Sequence, residues 1–276
     1  MLNSLSSAVS GLDSFQQDMD VIGNNIANIN TDGFKAARIN FADSFSDTLA
    51  AGSGTVQVGT GVFDQAITNN WTQGAVNATG VSTDLAVSGN GFFLVKDTVS
   101  GNQYVTQDGA FSVDTNGYLI TAGGQQVQGY SDAGLSTIGS IKIDATGAPS
   151  TAAPGATVSS FTIDSQGQIN VTLSDGTTFV RGQVLLQNFQ DPQALVNEAG
   201  NLYSNQANAG PMTATPVAPG SNGLGQIQSG YVEISNVDLS QEMANLITAQ
   251  RGFEANSKIV TTSSEILQTL VNMKQG

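Results

Sequence analysis

Residues 1–30, MLNSLSSAVSGLDSFQQDMDVIGNNIANIN, carry the pattern on which the reading of the whole chain turns. Apolar side chains fall at Met1, Leu5, Ala8, Leu12, Phe15, Met19, Ile22, Ile26 and Ile29, in steps that alternate four and three. That spacing is the seam of a coiled-coil helix, and it predicts a helix from about Ser4 to about Asn28. Asp13, Asp18 and Asp20 lie off the seam. Gly11 and Gly23 interrupt it, each costing roughly 1 kcal/mol relative to Ala in an isolated helix. A packed assembly offsets that cost if the glycines face neighbouring copies and the apolar heptads face a partner helix of the same chain. Asn24, Asn25 and Asn28 are then placed to fix register by hydrogen bonding.

The partner pattern lies at the other end. Leu239, Leu246, Phe253, Val260 and Leu267 recur every seven residues, and Met243, Ile247, Ile259, Ile266, Leu270, Val271 and Met273 widen the stripe. A helix is predicted from Asn236 or Asp238 onward, some thirty-five residues and roughly 50 Å long, with Ser240 as its cap and Glu242 in its first turn. Gly252 interrupts this stripe too, and Lys274 suits the far end of the helix dipole. The expected self-association surface is therefore Leu5, Leu12, Phe15, Met19, Ile22, Ile26, Leu239, Met243, Leu246, Phe253, Val260, Leu267 and Leu270. The plainer alternative is a helical hairpin inside an ordinary globular domain.

Between the ends the reading is β. Residues 31–75 and 204–236 read as extended connectors, the first carrying Phe34, Phe41, Phe45, Phe63 and Trp71 as anchors, the second rich in Pro and Gly. Residues 76–203 read as a β-rich outer domain, with 1–30 plus 237–276 as the helical assembly domain. Phe92-Phe-Leu-Val-Lys96 is a buried strand, and Asp108-Gly109, Asn116-Gly117 and Asp175-Gly176 are hairpin signals between alternating runs. Residues 145–159 read as a surface excursion. The fold class expected is α+β: terminal helices forming a coiled-coil domain, with a central antiparallel β domain.

Composition narrows the chemistry. The 276 residues hold 22 acidic and 8 basic side chains, a net charge of −14, which disfavours nucleic acid because phosphate contacts need clustered Lys and Arg. Charged residues are 11%, against about a quarter in typical domains, so polarity comes from neutral side chains and 32 glycines. With no Cys and no His, disulfides, thiolate or imidazole metal sites and Ser-His or Cys-His catalysis are excluded. Asp114-Thr-Asn116-Gly117 and Asp164-Ser-Gln-Gly167 could offer oxygens to Ca²⁺, yet neither matches a twelve-residue loop, and both read as turns. No catalytic residue, cofactor, metal or small-molecule substrate is expected. The first residues lack the features of a cleavable signal peptide, and no run of eighteen apolar residues exists.

Ser10-Gly11-Leu12, Met19-Asp-Val-Ile-Gly-Asn-Asn-Ile-Ala-Asn28 and Thr31-Asp-Gly-Phe-Lys35 closely resemble the bacterial flagellar hook and rod proteins. Thr83-Asp-Leu-Ala-Val-Ser-Gly-Asn-Gly-Phe-Phe93, Thr106-Gln-Asp-Gly-Ala-Phe111, Asn201-Leu-Tyr203 and Ala249-Gln-Arg-Gly-Phe-Glu-Ala-Asn256 extend the likeness along the chain. The resemblance implies an axial structural protein, not an enzyme, which polymerises with itself and meets rod, hook-cap and hook–filament junction proteins. It implies location in the flagellum, hook or basal body, and passage through the flagellar export apparatus without signal cleavage. Thr31-Asp-Gly-Phe-Lys35, Phe41-Ala-Asp43 and Gly200-Asn-Leu-Tyr203 look more like the hook. Pro219-Gly-Ser-Asn-Gly-Leu-Gly225, Gly230-Tyr-Val-Glu233 and Asn256-Ser-Lys258 look more like the distal rod. The expectation taken is a hook subunit in a hollow, torque-transmitting tube. Distal rod protein is the alternative, and a secreted β-sandwich module is a more distant one.

Overall fold

A computed structural model describes the backbone at residues 2–44, 46–51 and 54–275, and side-chain surroundings at 3–44 and 59–273. The expectations placed on Met1, Phe45 and Lys274 lie outside those limits. Two compact units emerge. The first joins Met1–Ile29, Lys35–Asn70 and Val237–Gly276, and the second joins Asn30–Phe34 and Trp71–Asn236.

In the first unit, helix α1 (Leu2–Ala27) packs antiparallel on helix α2 (Leu239–Gln275). Residues of small volume let the two backbones approach. A Cβ added to Gly252 would stand 2.5 Å from the Phe15 ring, and one added to Gly11 would run into the Asn256 amide. Gly11 therefore faces the chain's own second helix instead of a neighbouring copy, whereas Gly23 has nothing within 4 Å of such a Cβ. The cap of α2 is Asp238, not Ser240: its Oδ1 accepts from the Ser240 N–H at 2.8 Å and the Gln241 N–H at 3.2 Å.

Residues 37–69 form a paired ribbon in this same unit. Strand β1 (Ala37–Asp43) precedes β2 (Ser46–Ala51), β3 (Gly54–Gly59) and β4 (Val62–Asn69). β1 pairs antiparallel with β4 from Ala37↔Asn69 to Asp43↔Val62, and β2 pairs with β3 from Ser46↔Gly59 to Ala51↔Gly54. A two-stranded ribbon is marginal alone in water, so it leans on α1. Ile39 is buried, and the Phe41 ring lies 6.4 Å from that of Phe15. A bulge between Asn40 and Phe41 breaks the alternation there, which is why no period of two shows in the sequence.

The second unit is built on a twelve-stranded antiparallel sheet. Its strand Phe92–Lys96 pairs with Gln103–Thr106 on one side and with Gln126–Tyr130 and Leu186–Gln187 on the other. Successive side chains of a strand point to opposite faces. Phe93 and Val95 accordingly enter a large core with Leu119, Val127, Ile169 and Val171, while Phe92 and Leu94 enter a second core with Val105, Phe189 and Tyr203. A strand buried on both faces reads as a continuous apolar run. Trp71 closes the second core edge-on, 5.3 Å from Phe92 and 5.1 Å from Tyr203.

Three segments differ from their sequence reading. Residues 145–159 are no free excursion: Ala145, Ala148, Ala152 and Ala156 pack on the large core. Within 204–229 the chain buries Ala209, Leu224 and Ile227 and supplies the strand Gln226–Ser229, which pairs with Leu85–Ser88. Asp108-Gly109 is not a hairpin turn. The Gly109 carbonyl accepts from the Leu85 N–H at 3.0 Å, and a Cβ on Gly109 would strike the Leu85 carbonyl.

Two ion pairs that meet on Asp144 are set into the β unit. The buried Arg181 donates from Nε to Asp144 Oδ1 at 2.7 Å and from Nη1 to the Ser131 carbonyl, and Lys142 Nζ lies 3.2 Å from Asp144 Oδ2. Burial pushes the Asp144 carboxyl up, but hydrogen bonds from Arg181, Thr146 and Lys142 outweigh it and hold it at about 2. Because this value is depressed, the stabilisation is present above the ordinary 3.8 and is lost as pH falls toward about 2. Asp144→Ala is expected to cost about 2 kcal/mol at neutral pH, less than for a fully buried pair because Asp144 is partly solvated, and little below pH ~2. Urea unfolding across that range measures both. At the helix contact, Gly252→Val should lower stability by about 1–3 kcal/mol through overpacking against Phe15, read as an earlier loss of helical circular dichroism on heating.

Candidate self-association surface

The contact between the helices is not made mainly by the apolar heptads. On α1 the buried positions are Ala8, Gly11, Ser14, Ile22 and Asn25, and on α2 they are Ala249 and Ser263, with Gly252 and Asn256 half-buried between them. Small and polar side chains thus occupy the seam. Of the thirteen expected surface residues, Ile22 alone is buried. Leu5, Leu12, Phe15, Met19 and Ile26 on α1, and Leu246, Phe253, Val260 and Leu267 on α2, are half-buried along the flanks. Leu239, Met243 and Leu270 are exposed.

The exposed apolar area exceeds what the expected set contained. Ile247 is 59% exposed, Val271 55% and Met273 74%, and Ile259 and Ile266 are also exposed. Geometry explains the last of these. Helix α2 has 37 residues against 26 in α1, and Gly11 stands opposite Asn256, so the final turns of α2 have no α1 residue beside them. Across the helix pair, Leu5, Val9, Leu12 and Phe253 with Ser6, Ser10, Asp13 and Gln16 line an open groove of about 740 Å³. On the ribbon, Phe41, Phe63 and Ile67 are exposed. The sequence flagged the two aromatics but not Ile67, whose signal was the broken alternation Val62-Phe-Asp-Gln-Ala-Ile67. Large apolar side chains are thus concentrated in the open on the helices and the ribbon, beyond the single scattered ones usual on a surface.

A polar junction anchors the ribbon to α1. Asn25, 1% exposed, donates from Nδ2 to the Ala37 carbonyl at 2.7 Å and accepts at Oδ1 from the Ala37 N–H at 2.9 Å. Of the three asparagines singled out in the sequence, Asn25 ties two elements together, while Asn28 donates back to Asn24 within its own helix end. Beside Asn25 lies a cavity of about 190 Å³ lined by Phe15, Asp18, Ile22, Arg38, Glu242 and Asn245 among others.

Asp114 Oδ1 accepts from the backbone N–H groups of Asn116 and Tyr118, and Asp164 Oδ1 from those of Gln166 and Gln168, so these oxygens are engaged in turns. Among the described residues no group of three acidic side chains is placed to hold a metal ion.

Residues 5–35 match the family model described as flagella basal body rod protein, and residues 228–273 match that of the flagellar basal body rod FlgEFG protein C-terminal. Residues 86–171 match the flagellar hook protein FlgE/F/G D1 domain. A flagellar basal-body rod protein FlgG of Bacillus subtilis (strain 168) is 40% identical over 284 aligned residues, covering 100% of both chains. The FlgG of Borreliella burgdorferi is 31% identical, again over 100% of both chains. The flagellar hook protein FlgE of that same organism is 26% identical over 99% of this chain and 100% of its own. A solved flagellar hook protein FlgE2 from Helicobacter pylori aligns over 48% of this chain and 38% of its own at 14% identity and a TM-score of 0.23, too low to carry an argument. End-to-end identity at this level, with matches at both helices and the sheet, shows that the chain belongs to the family of flagellar basal-body rod and hook proteins.

Proposed function

We propose that this chain is a structural subunit of the flagellar rod, its distal segment, and that its terminal helices join copies of it into a tube. The hook expectation gives way to its alternative. Support comes from the 40% full-length identity to a rod protein, and from the comparison inside one organism, where the rod relative at 31% exceeds the hook relative at 26%. The rod-like segments Pro219–Gly225 and Gly230–Glu233 point the same way.

The observation that carries the assembly mechanism is the exposed apolar side of α2, from Leu239, Met243 and Ile247 to Ile266, Leu270 and Met273. Burying each such side chain against a neighbour is worth roughly 1.5–3 kcal/mol, and α2 asks few charges to leave water. In the assembled state these faces, with those of α1, complete a coiled-coil layer that one antiparallel pair leaves open. Other axial proteins at the ends of the tube meet the same surface, and the chain reaches its site through the flagellar export apparatus.

Removal of residues 1–30 and 237–276 is expected to leave a monomer whose β unit stays folded, and sedimentation of the truncated and full chains checks it. A truncated chain that still polymerises overturns the terminal-helix mechanism. Ile247→Asp with Ile266→Asp should abolish polymerisation while leaving the Trp71 fluorescence of the β unit unchanged. Immuno-electron microscopy with an antibody to residues 145–159 separates rod from hook: label below the curved tube supports the rod, label on it restores the hook.

A further inference from the structure

The junction of α1, α2 and the β1–β4 ribbon holds titratable groups that the assembly reading does not use. We propose that this junction is a pH-sensitive clasp, holding the first turns of α2 on α1 more firmly at acid pH than at neutral pH.

The groups converge from every element at the junction. Helix α1 brings Asp18 and Asn25, α2 brings Asp238, Glu242 and Asn245, β1 brings Arg38 and β4 brings Asp64. Four of these carboxyls act on one another. Asp64 acts on Asp18, and Asp18 and Asp238 act on Glu242. Arg38 is the one basic side chain among those lining the cavity, and it is exposed, so water screens its charge. Asp64 Oδ1 is sealed from solvent without a hydrogen-bond partner among the described residues.

The electrostatics agree with the geometry. Burial first, and then the neighbouring Asp64, raise the Asp18 carboxyl above its ordinary 3.8. Burial likewise raises Glu242 above 4.5; a hydrogen bond from Asn25 opposes this, and Asp18 and Asp238 add to it. A carboxyl raised in the folded state holds a proton that the unfolded chain releases. Docking is therefore unpenalised below the ordinary values, and it weakens as pH rises through the raised ones. Glu242 sits in the first turn of α2, so the loss falls where Asp238 starts the helix.

The test uses the full-length chain, melted while far-ultraviolet circular dichroism follows the helices and Trp71 fluorescence follows the β unit. The working range runs upward from about pH 4.5, the ordinary glutamate value, to about pH 7.5, above the sequence isoelectric point of 4.1. The helical melting temperature should fall across this range. Asp18→Asn with Glu242→Gln should raise it by about 3 °C at the upper pH and flatten the slope. A helical transition that strengthens with rising pH overturns the proposal. So does a double variant that keeps the wild-type slope, which would assign the acid response to Asp32 and Asp108 in the β unit, where burial and neighbouring carboxylates also raise both.

Discussion

Phe15 seated over Gly252 is the contact on which the helical unit depends. Its ring fills the space that a side chain at Gly252 would need, and its other side meets Phe41 of the ribbon. A few ångströms more between the helix axes would separate Gly11 from Asn256 and pull Asn25 away from its bonds to Ala37. Close approach at small residues also means that little apolar surface is used in joining the two ends of the chain. The large side chains are pushed to the flanks and outer faces, where they remain for other partners. The inner pairing and the outer stickiness are two results of one choice of residue size.

The β unit solves a different problem. It closes on itself: Val76–Ala78 pairs with Tyr231–Glu233, and Leu85–Ser88 with Gln226–Ser229, so strands near its beginning and end lie side by side. Phe92–Lys96, covered on both faces, joins two cores, and the Arg181–Asp144 pair fixes strand to loop at the margin of the larger one. Nothing in this unit calls for another chain to complete its core. Within one polypeptide, an element finished by itself and an element that exposes apolar area are thus kept as separate packing units.

Much of this was legible in residues whose spacing has a single physical meaning. The four-three steps of 1–30 and the sevens from Leu239 to Leu267 can be read only as helices, and Phe92–Val95 only as a buried segment. What stayed hidden was pairing across distance. The ribbon of residues 37–69 shows no clean alternation because α1 covers one face and a bulge shifts the register at Asn40. Heptad logic assigned the large side chains to the intramolecular seam, whereas packing put Gly11, Ala249 and Gly252 there, since only small residues permit the observed approach. Asp108-Gly109 misled for a related reason. Its glycine serves a passing carbonyl from Leu85, a neighbour that sequence order does not reveal.

The placement of α1 and α2 in one unit, with the β unit inserted between them, also sets an order of events. Every contact between the helices closes a loop that runs from Ala27 to Leu239, while the hairpins of the sheet close within a few residues of their turns. Closing the long loop carries the larger entropy cost, and non-local contacts of this kind form late. A β unit that condenses first draws Asn30 and Asn236, adjoining the two helical segments, into one compact body and so shortens the effective loop. Nascent or newly delivered chains therefore pass through a stage in which the sheet is folded and the two ends are still unjoined. At that stage pairing of α1 with the α2 of another molecule competes with closure onto its own, a kinetic branch point between monomer closure and helix exchange.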